Sequence, residues 1–197
     1  MGLLLAFSLI LSTIVPTTLA ATTTTVEGVT YTLNTSKKTA SVSKTVAGEF
    51  ATELIIPASI VYNNNTYKVT GIDKQAFRSN DDIISVVFPD TITTVNQDVF
   101  YYCDNLKTVV LPAKLTAIPK NMFYSCPSLE TVIIPSTVTT INLSAFYNDA
   151  ALEQIQLPEG LTTLSYGKVF SGTGLRSIVI PAKVTAIGDY MFSSCAT

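Results

Sequence analysis

The 197-residue chain contains no histidine. Histidine is the commonest general base and the commonest metal ligand near neutral pH, so its absence removes Ser-His-Asp and Cys-His catalysis and most zinc chemistry together. Charge is also scarce: 13% of residues are charged and the net charge is -2. Nothing in that balance supplies the basic surface that nucleic acid or an anionic membrane attracts. Cysteine occurs three times, at Cys103, Cys126 and Cys195, and never as a C-x-x-C pair, so no metal site is predicted. None lies before position 103, which leaves no lipid-modified cysteine near the N-terminus. Gly2 is followed by Ala6 where myristoylation expects Ser or Thr.

What the chain has in abundance is one repeated beat. Prolines 89, 112, 135, 158 and 181 fall 23 residues apart, as do leucines 106, 129, 152 and 175. Phe77, Phe100, Phe123, Phe146, Phe170 and Phe192 keep the same step, with one interval of 24 compensated by one of 22. A fixed period of this size is the signature of a solenoid, in which each coil stacks only on its neighbours.

Aligned on proline, the strand segments are 51–57, 83–89, 106–112, 129–135, 152–158 and 175–181. Apolar residues at the fourth and sixth positions obey the period-two rule for a strand with one buried face, and the closing proline ends the ladder. A shorter extended piece follows, as in Leu115 to Ile118 and Val138 to Ile141. The segment around each Phe has a polar start and an apolar pair, and predicts one helical or 3₁₀ turn. Stacked at ~4.8 Å, the coils place like residues in columns, with the Phe column inside.

Ahead of the coils, residues 3–15 form an uncharged apolar run, followed by Pro16 and small residues to Ala21. The expectation is a cleaved signal over 1–20, hence a secreted or cell-surface protein, although the usual Lys or Arg before the apolar run is missing. An uncleaved anchor is the alternative, with a run shorter than the ~20 residues that span a bilayer. A threonine-rich thread at 21–25 then leads to an N-terminal β-hairpin cap over 26–50. Coil one carries extra residues near 61–69, where Val61 and Tyr67 flank an Asn-rich tip that reads as a projecting hairpin. Asn34, Asn64 and Asn142 head N-x-S/T sequons, of consequence in a eukaryotic source.

The order L-x-x-V-x-I-P-x-x-V-T-x-I followed by A-F-x-x-C resembles the BspA-type leucine-rich repeat of exported proteins from host-associated bacteria and protists. The resemblance covers residues 51–197, six coils, and implies a β-rich α/β solenoid: a right-handed leucine-rich repeat stack with short helical or 3₁₀ turns. The chain stops after a Phe segment with no polar cap, so further repeats beyond Thr197 are expected.

Chemistry is sparse in these columns. The cysteines share one column with Asn80, Asp149 and Gly172, as small residues at a tight corner. A Cys103–Cys126 disulfide is within reach of neighbouring coils, and parallel side-chain vectors oppose it. Glu130 and Glu153 are the one carboxylate pair in register, and Lys107 and Arg176 flank them in a solvated column that needs no cleft. The prediction is a non-enzymatic chain with no cofactor and no small-molecule substrate.

Between buried positions each coil presents three side chains, and these are the candidate protein-binding residues. Beside Ile84 they are Ser85, Val87, Lys107, Thr108, Val110, Glu130, Thr131, Ile133, Glu153, Gln154, Gln156, Arg176, Ser177 and Val179. A continuous, mildly apolar, hydroxyl-bearing face suits a protein partner; β-propensity alone also accounts for its Val and Thr. The family resemblance implies adhesion to host matrix proteins or to other microbes. Two alternatives stand beside it. One is a spacer in a longer surface protein; the other is ice binding along the row Thr70, Thr93, Thr116, Thr139, Thr162 and Thr185.

Overall fold

A computed structural model describes residues 21–45, 48 and 52–195. The signal expected over 1–20 lies outside the described residues.

The strands run in chain order as β1 (Thr22–Val26), β2 (Val29–Asn34), β3 (Thr39–Thr45), β4 (Glu53–Ile55), β5 (Ser59–Tyr62) and β6 (Asn65–Ile72). The coils then contribute β7 (Ser85–Val87), β8 (Thr94–Val95), β9 (Thr108–Val110), β10 (Ala117–Ile118), β11 (Thr131–Ile133), β12 (Thr140–Ile141) and β13 (Thr163–Leu164). Three sheets result. The N-terminal sheet has the order β1-β2-β3-β6-β5, with β8 also on β6. Two parallel ladders, β4-β7-β9-β11 and β10-β12-β13, follow the coils.

Two expectations change at the N-terminal end. The thread expected at 21–25 is strand from Thr22, paired antiparallel with β2 from Thr22↔Leu33 to Val26↔Val29. Glu27 and Gly28 both have positive φ (47° and 72°), the backbone of a tight hairpin whose twist matches its strands. Four β-branched threonines therefore meet an available edge and extend it. The hairpin of coil one does not stand free either. Its turn, Asn63-Asn64 (φ 47° and 58°), joins β5 to β6, and β6 pairs in parallel with β3. Tyr67 and Val69 are buried, so the hairpin continues the cap sheet into the solenoid.

The Phe segments differ from the prediction as well. They are successive turns, and no helix occurs among the described residues. The cause is a left-handed residue on each side of the phenylalanine. Asp98 and Tyr102 flank Phe100 with φ of 61° and 58°, and Asn121 and Ser125 flank Phe123 with 54° and 56°. That backbone turns alternate amides outward to the next coil: the Phe100 N–H donates to the Met122 carbonyl (2.8 Å) and the Tyr102 N–H to the Tyr124 carbonyl (2.9 Å). A helix would aim the same donors back along its own axis. Gly172 (φ 75°) holds the left-handed corner in coil five, two residues after Phe170 as Tyr102 follows Phe100.

The core is a set of columns. Phe77, Phe100, Phe123, Phe146 and Phe170 are buried, and their rings stack with centroids 5.1–5.5 Å apart. Phe192 continues the stack at 5.7 Å. Such a pair contributes ~0.5–1.5 kcal/mol beyond area burial. Leu106, Leu129, Leu152 and Leu175 form a second buried column, and Val86, Val109 and Val132 a third under the strand face. Phe123→Ala removes a ring stacked on both sides. Its expected cost is ~3–5 kcal/mol in a denaturant melt, the range for a large-to-small core change. An unchanged melting midpoint would mean that the ring is not in this stack.

Candidate functional site

The ladder β4-β7-β9-β11 carries six of the candidate binding residues, and its register decides which of them meet. Ser85, Thr108 and Thr131 pair in line, and so do Ile55, Val87, Val110 and Ile133. The second row is an apolar stripe: Ile55 is 73% exposed, Val87 41% and Ile133 54%. Their neighbours Leu54, Val86, Val109 and Val132 point inward and are buried, as the two-residue alternation of a strand requires. Lys107 and Glu130 stand just before the strands, with Lys107 Nζ 3.9 Å from Glu130 Oε1. Ile55 joins the stripe from coil one, whose segment 51–57 contributed no candidate.

The face expected to run on through coils five and six does not. Glu153, Gln154, Gln156, Arg176, Ser177 and Val179 are exposed, on segments that belong to no ladder. Between coils four and five the strand face opens into a cleft of about 1140 Å³, lined by 130–134 and Ser136 on one side and by Ala151 and 153–160 on the other. Its two ends are stitched: the Ala151 N–H donates to the Pro127 carbonyl (3.1 Å) and the Thr162 N–H to the Thr139 carbonyl (3.0 Å). No backbone hydrogen bond joins the two coils between those points among the described residues. Two features of the sequence oppose pairing at this interface. Coil five has Glu-Gln-Ile-Gln where coil four has Glu-Thr-Val-Ile, which weakens β-propensity at two exposed positions. In a closed ladder Glu153 would also stand against Glu130, a repulsive cross-strand pair. Each glutamate faces a base on its far side instead, Lys107 for Glu130 and Arg176 (3.8 Å) for Glu153. The expected charge column is present, and a cleft lies in its middle, between Glu130 and Glu153.

Two further columns differ from the strand face. Three of the six threonines in the row are tied to backbone: Thr93, Thr139 and Thr162 each direct Oγ1 to the carbonyl of the threonine one coil earlier, at 3.4, 3.3 and 3.1 Å. Those hydroxyls lace coils together instead of presenting a free row to water. A tyrosine column escaped the sequence reading. Tyr101, Tyr124 and Tyr147 stack with centroids 4.6 Å apart, closed at the ends by Arg78 (4.9 Å) and Lys168 (5.4 Å). Its signal was legible, since each tyrosine directly follows a periodic Phe. The phenol pKa values of Tyr101 and Tyr124 are raised, chiefly by desolvation within the stack. The ring faces are taken up by one another, so the column stiffens a corner.

The cysteine column is built into the core. Cys103, Cys126 and Cys195 are free thiols. Cys103 Sγ donates to the Phe77 carbonyl and Cys126 Sγ to the Phe100 carbonyl, both at 2.9 Å, while Cys195 Sγ reaches Phe170 at 3.2 Å. The member from coil five is Thr173, whose Oγ1 donates to that same Phe170 carbonyl (2.8 Å), and not Gly172. Asp149 holds the coil-four place. It is fully buried; Oδ1 accepts from the Cys126 N–H (2.8 Å), and Oδ2 has no partner. Burial raises its pKa well above the usual carboxylate range. Burial is also the main cause that raises the Cys126 thiol pKa.

Stacked parallel ladders, a periodic leucine and phenylalanine interior and an irregular turn face define a leucine-rich repeat solenoid. Residues 70–197 match the BspA type leucine rich repeat region in 6 copies, and the chain belongs to that family. Among solved structures it is similar to a leucine-rich repeat protein from Bacteroides ovatus, at 25% identity and a TM-score of 0.73 over 86% of this chain. The chain spans 50% of that protein's length. A leucine rich repeat protein from T. pallidum shares the fold at 21% identity and a TM-score of 0.55, with 76% of this chain and 88% of that one covered. The pneumococcal vaccine antigen PcpA does so at 20% identity and 0.58, covering 79% and 48%. No curated protein matches the chain by sequence.

Asp149 makes stability depend on pH in a defined sense. A carboxyl whose folded pKa is raised contributes fully below its unfolded pKa, and that contribution is lost as pH rises through the folded value. Asp149→Asn keeps the acceptor for Cys126 and removes the titration. Its melting temperature should match the parent near pH 4 and exceed it increasingly toward pH 8, by ~2–4 °C for each ~1 kcal/mol. Parallel melting curves across that range would show that the carboxylate is accommodated as a charge.

Proposed function

We propose that this chain is an exported, non-enzymatic protein-binding scaffold. It acts as an adhesin-like surface module that recognises host matrix or other cell-surface proteins through the exposed strand face. The observation that carries the reading is the in-register stripe Ile55, Val87, Val110 and Ile133, beside the hydroxyl row Ser85, Thr108 and Thr131. An exposed apolar ladder on a parallel sheet is a surface with a preference for burial, and its polar border supplies orientation. Lys107, Glu130 and Arg176 have side chains 53%, 59% and 76% exposed, so they can meet a partner's charges without supporting the core. The apolar run at the N-terminus supports export, and one structural neighbour is a vaccine antigen. A spacer role within a longer surface protein is the rival, in keeping with a match to half of the Bacteroides ovatus protein.

The test is capture of extracellular-matrix proteins by the immobilised chain, compared with Lys107→Glu, Glu130→Lys and Arg176→Glu combined. Exposed ion pairs contribute ~0–1 kcal/mol, so the variant should melt within a few degrees of the parent. Saturable capture should fall about ten-fold, the scale of reversed charges at an interface. No capture by the folded parent chain would favour the spacer.

A further inference from the structure

We propose that the cleft between coils four and five is a strand-insertion site, taking an extended segment of a partner protein that alternates basic and apolar residues. The proposal rests on the strand face being the binding face, and it specifies how and where on that face binding occurs.

Backbone comes first. β11 pairs with β9 on one side and with no strand on the other. In this ladder the Thr131 N–H donates back to the Lys107 carbonyl (3.0 Å), whereas the Leu111 N–H donates forward to the Ile133 carbonyl (3.1 Å). Residues alternate in direction along a strand, so the coil-four equivalents of Val109 and Leu111, namely Val132 and Ile134, send their amides toward coil five. No strand meets them there. An open edge of this kind is a template for an added strand, with main-chain hydrogen bonds supplying affinity and alternate side chains supplying specificity. Because both ends of the cleft are stitched to coil four, the added strand is bounded in length: the opposing residues 130–134 correspond to about five residues, or ~17 Å.

Side chains then select the occupant. Val132, Ile134, Ile155 and Leu157 line the interior of the cleft, and Ile134 and Ile155 are only half-buried, unlike Val86 and Val109. Apolar residues at alternate positions of the incoming strand would complete that cover. Glu130, Glu153 and Glu159 also line the cleft, and no lysine or arginine does. The remaining positions of the strand therefore call for Lys or Arg, which would relieve the juxtaposition of Glu130 and Glu153. The two glutamates would repel one another across a closed ladder, and a basic strand between them would be favoured.

The probe is the peptide acetyl-Lys-Val-Lys-Ile-Lys-amide, measured with the full chain by fluorescence anisotropy and by hydrogen exchange. In the free chain the amides of Val132 and Ile134 should exchange much faster than those of Val109 and Leu111, and the peptide should protect them. Binding should weaken about ten-fold with Glu130→Lys plus Glu153→Lys, on the scale expected for reversed interfacial charge. It should be lost when alternate peptide amides are N-methylated. A closing variant (Glu153→Lys, Gln154→Thr, Gln156→Ile) restores the repeat pattern against Glu130. That variant should remain folded, protect Val132 and refuse the peptide.

Slow exchange at Val132 in the free chain, equal binding of the N-methylated peptide, or no binding would each overturn strand insertion. Self-association of the chain that protects Val132 would assign the edge to a second copy and overturn the partner strand. Matrix capture that survives closure of the cleft would overturn insertion while leaving face recognition standing. Loss of capture in the parent chain would instead remove the face reading, with the exchange and peptide measurements still deciding the cleft.

Discussion

Every coil of this protein depends on hydrogen bonds and ring contacts made to the coil beside it, at offsets of 21 to 24 residues along the regular coils and 31 to 33 where coil one meets coil two on the strand face. A coil of this length has no interior of its own, and its strands are too short to be stable in isolation. The stack supplies what the coil lacks: parallel pairing, cover on two faces for the Phe rings between its ends, and acceptors for the amides that the left-handed corners turn outward. Stability is then close to a sum over neighbouring pairs. A change in one column is felt by two neighbours and little beyond, which makes local departures from the repeat tolerable.

The departures are where the molecule becomes specific. Coil one lengthens and threads its extra strand into the cap sheet, so β6 belongs both to the N-terminal sheet and to the start of the solenoid. Coil five substitutes glutamines into the strand and places Phe170 one residue late, and the strand ladder ends at β11 before it. The Phe stack and the β10-β12-β13 ladder continue past the same point. One side of the solenoid therefore stays closed while the other opens. A binding surface placed on the open side can vary without unstitching the core.

The polar members of the interior show the same economy of contact. Cysteine and threonine in the corner column each donate to a Phe carbonyl, which would otherwise lack a full complement of partners. Asp149 sits in that column as an acceptor for a neighbouring amide, with one oxygen unsatisfied. It couples the stack to pH from within the core.

The period of the prolines, leucines and phenylalanines determined the solenoid, the number of coils, the inward columns and the outward candidates on coils two to four. These follow from composition repeated at one spacing, because a repeat can only bury its apolar residues by stacking like on like. The sequence alone did not determine that Phe segments would be turns in place of helix. That choice belongs to amides whose partners lie one coil away. It did not place Thr22–Val26 in a strand, since an edge must exist before a β-branched tract can pair with it. Nor did it reveal the cleft. Glu130 and Glu153 were visible as a like-charged pair in register, but whether two coils tolerate such a pair or part is settled by the sum of backbone pairing, propensity and repulsion at that one interface, and only the tertiary structure carries out that sum.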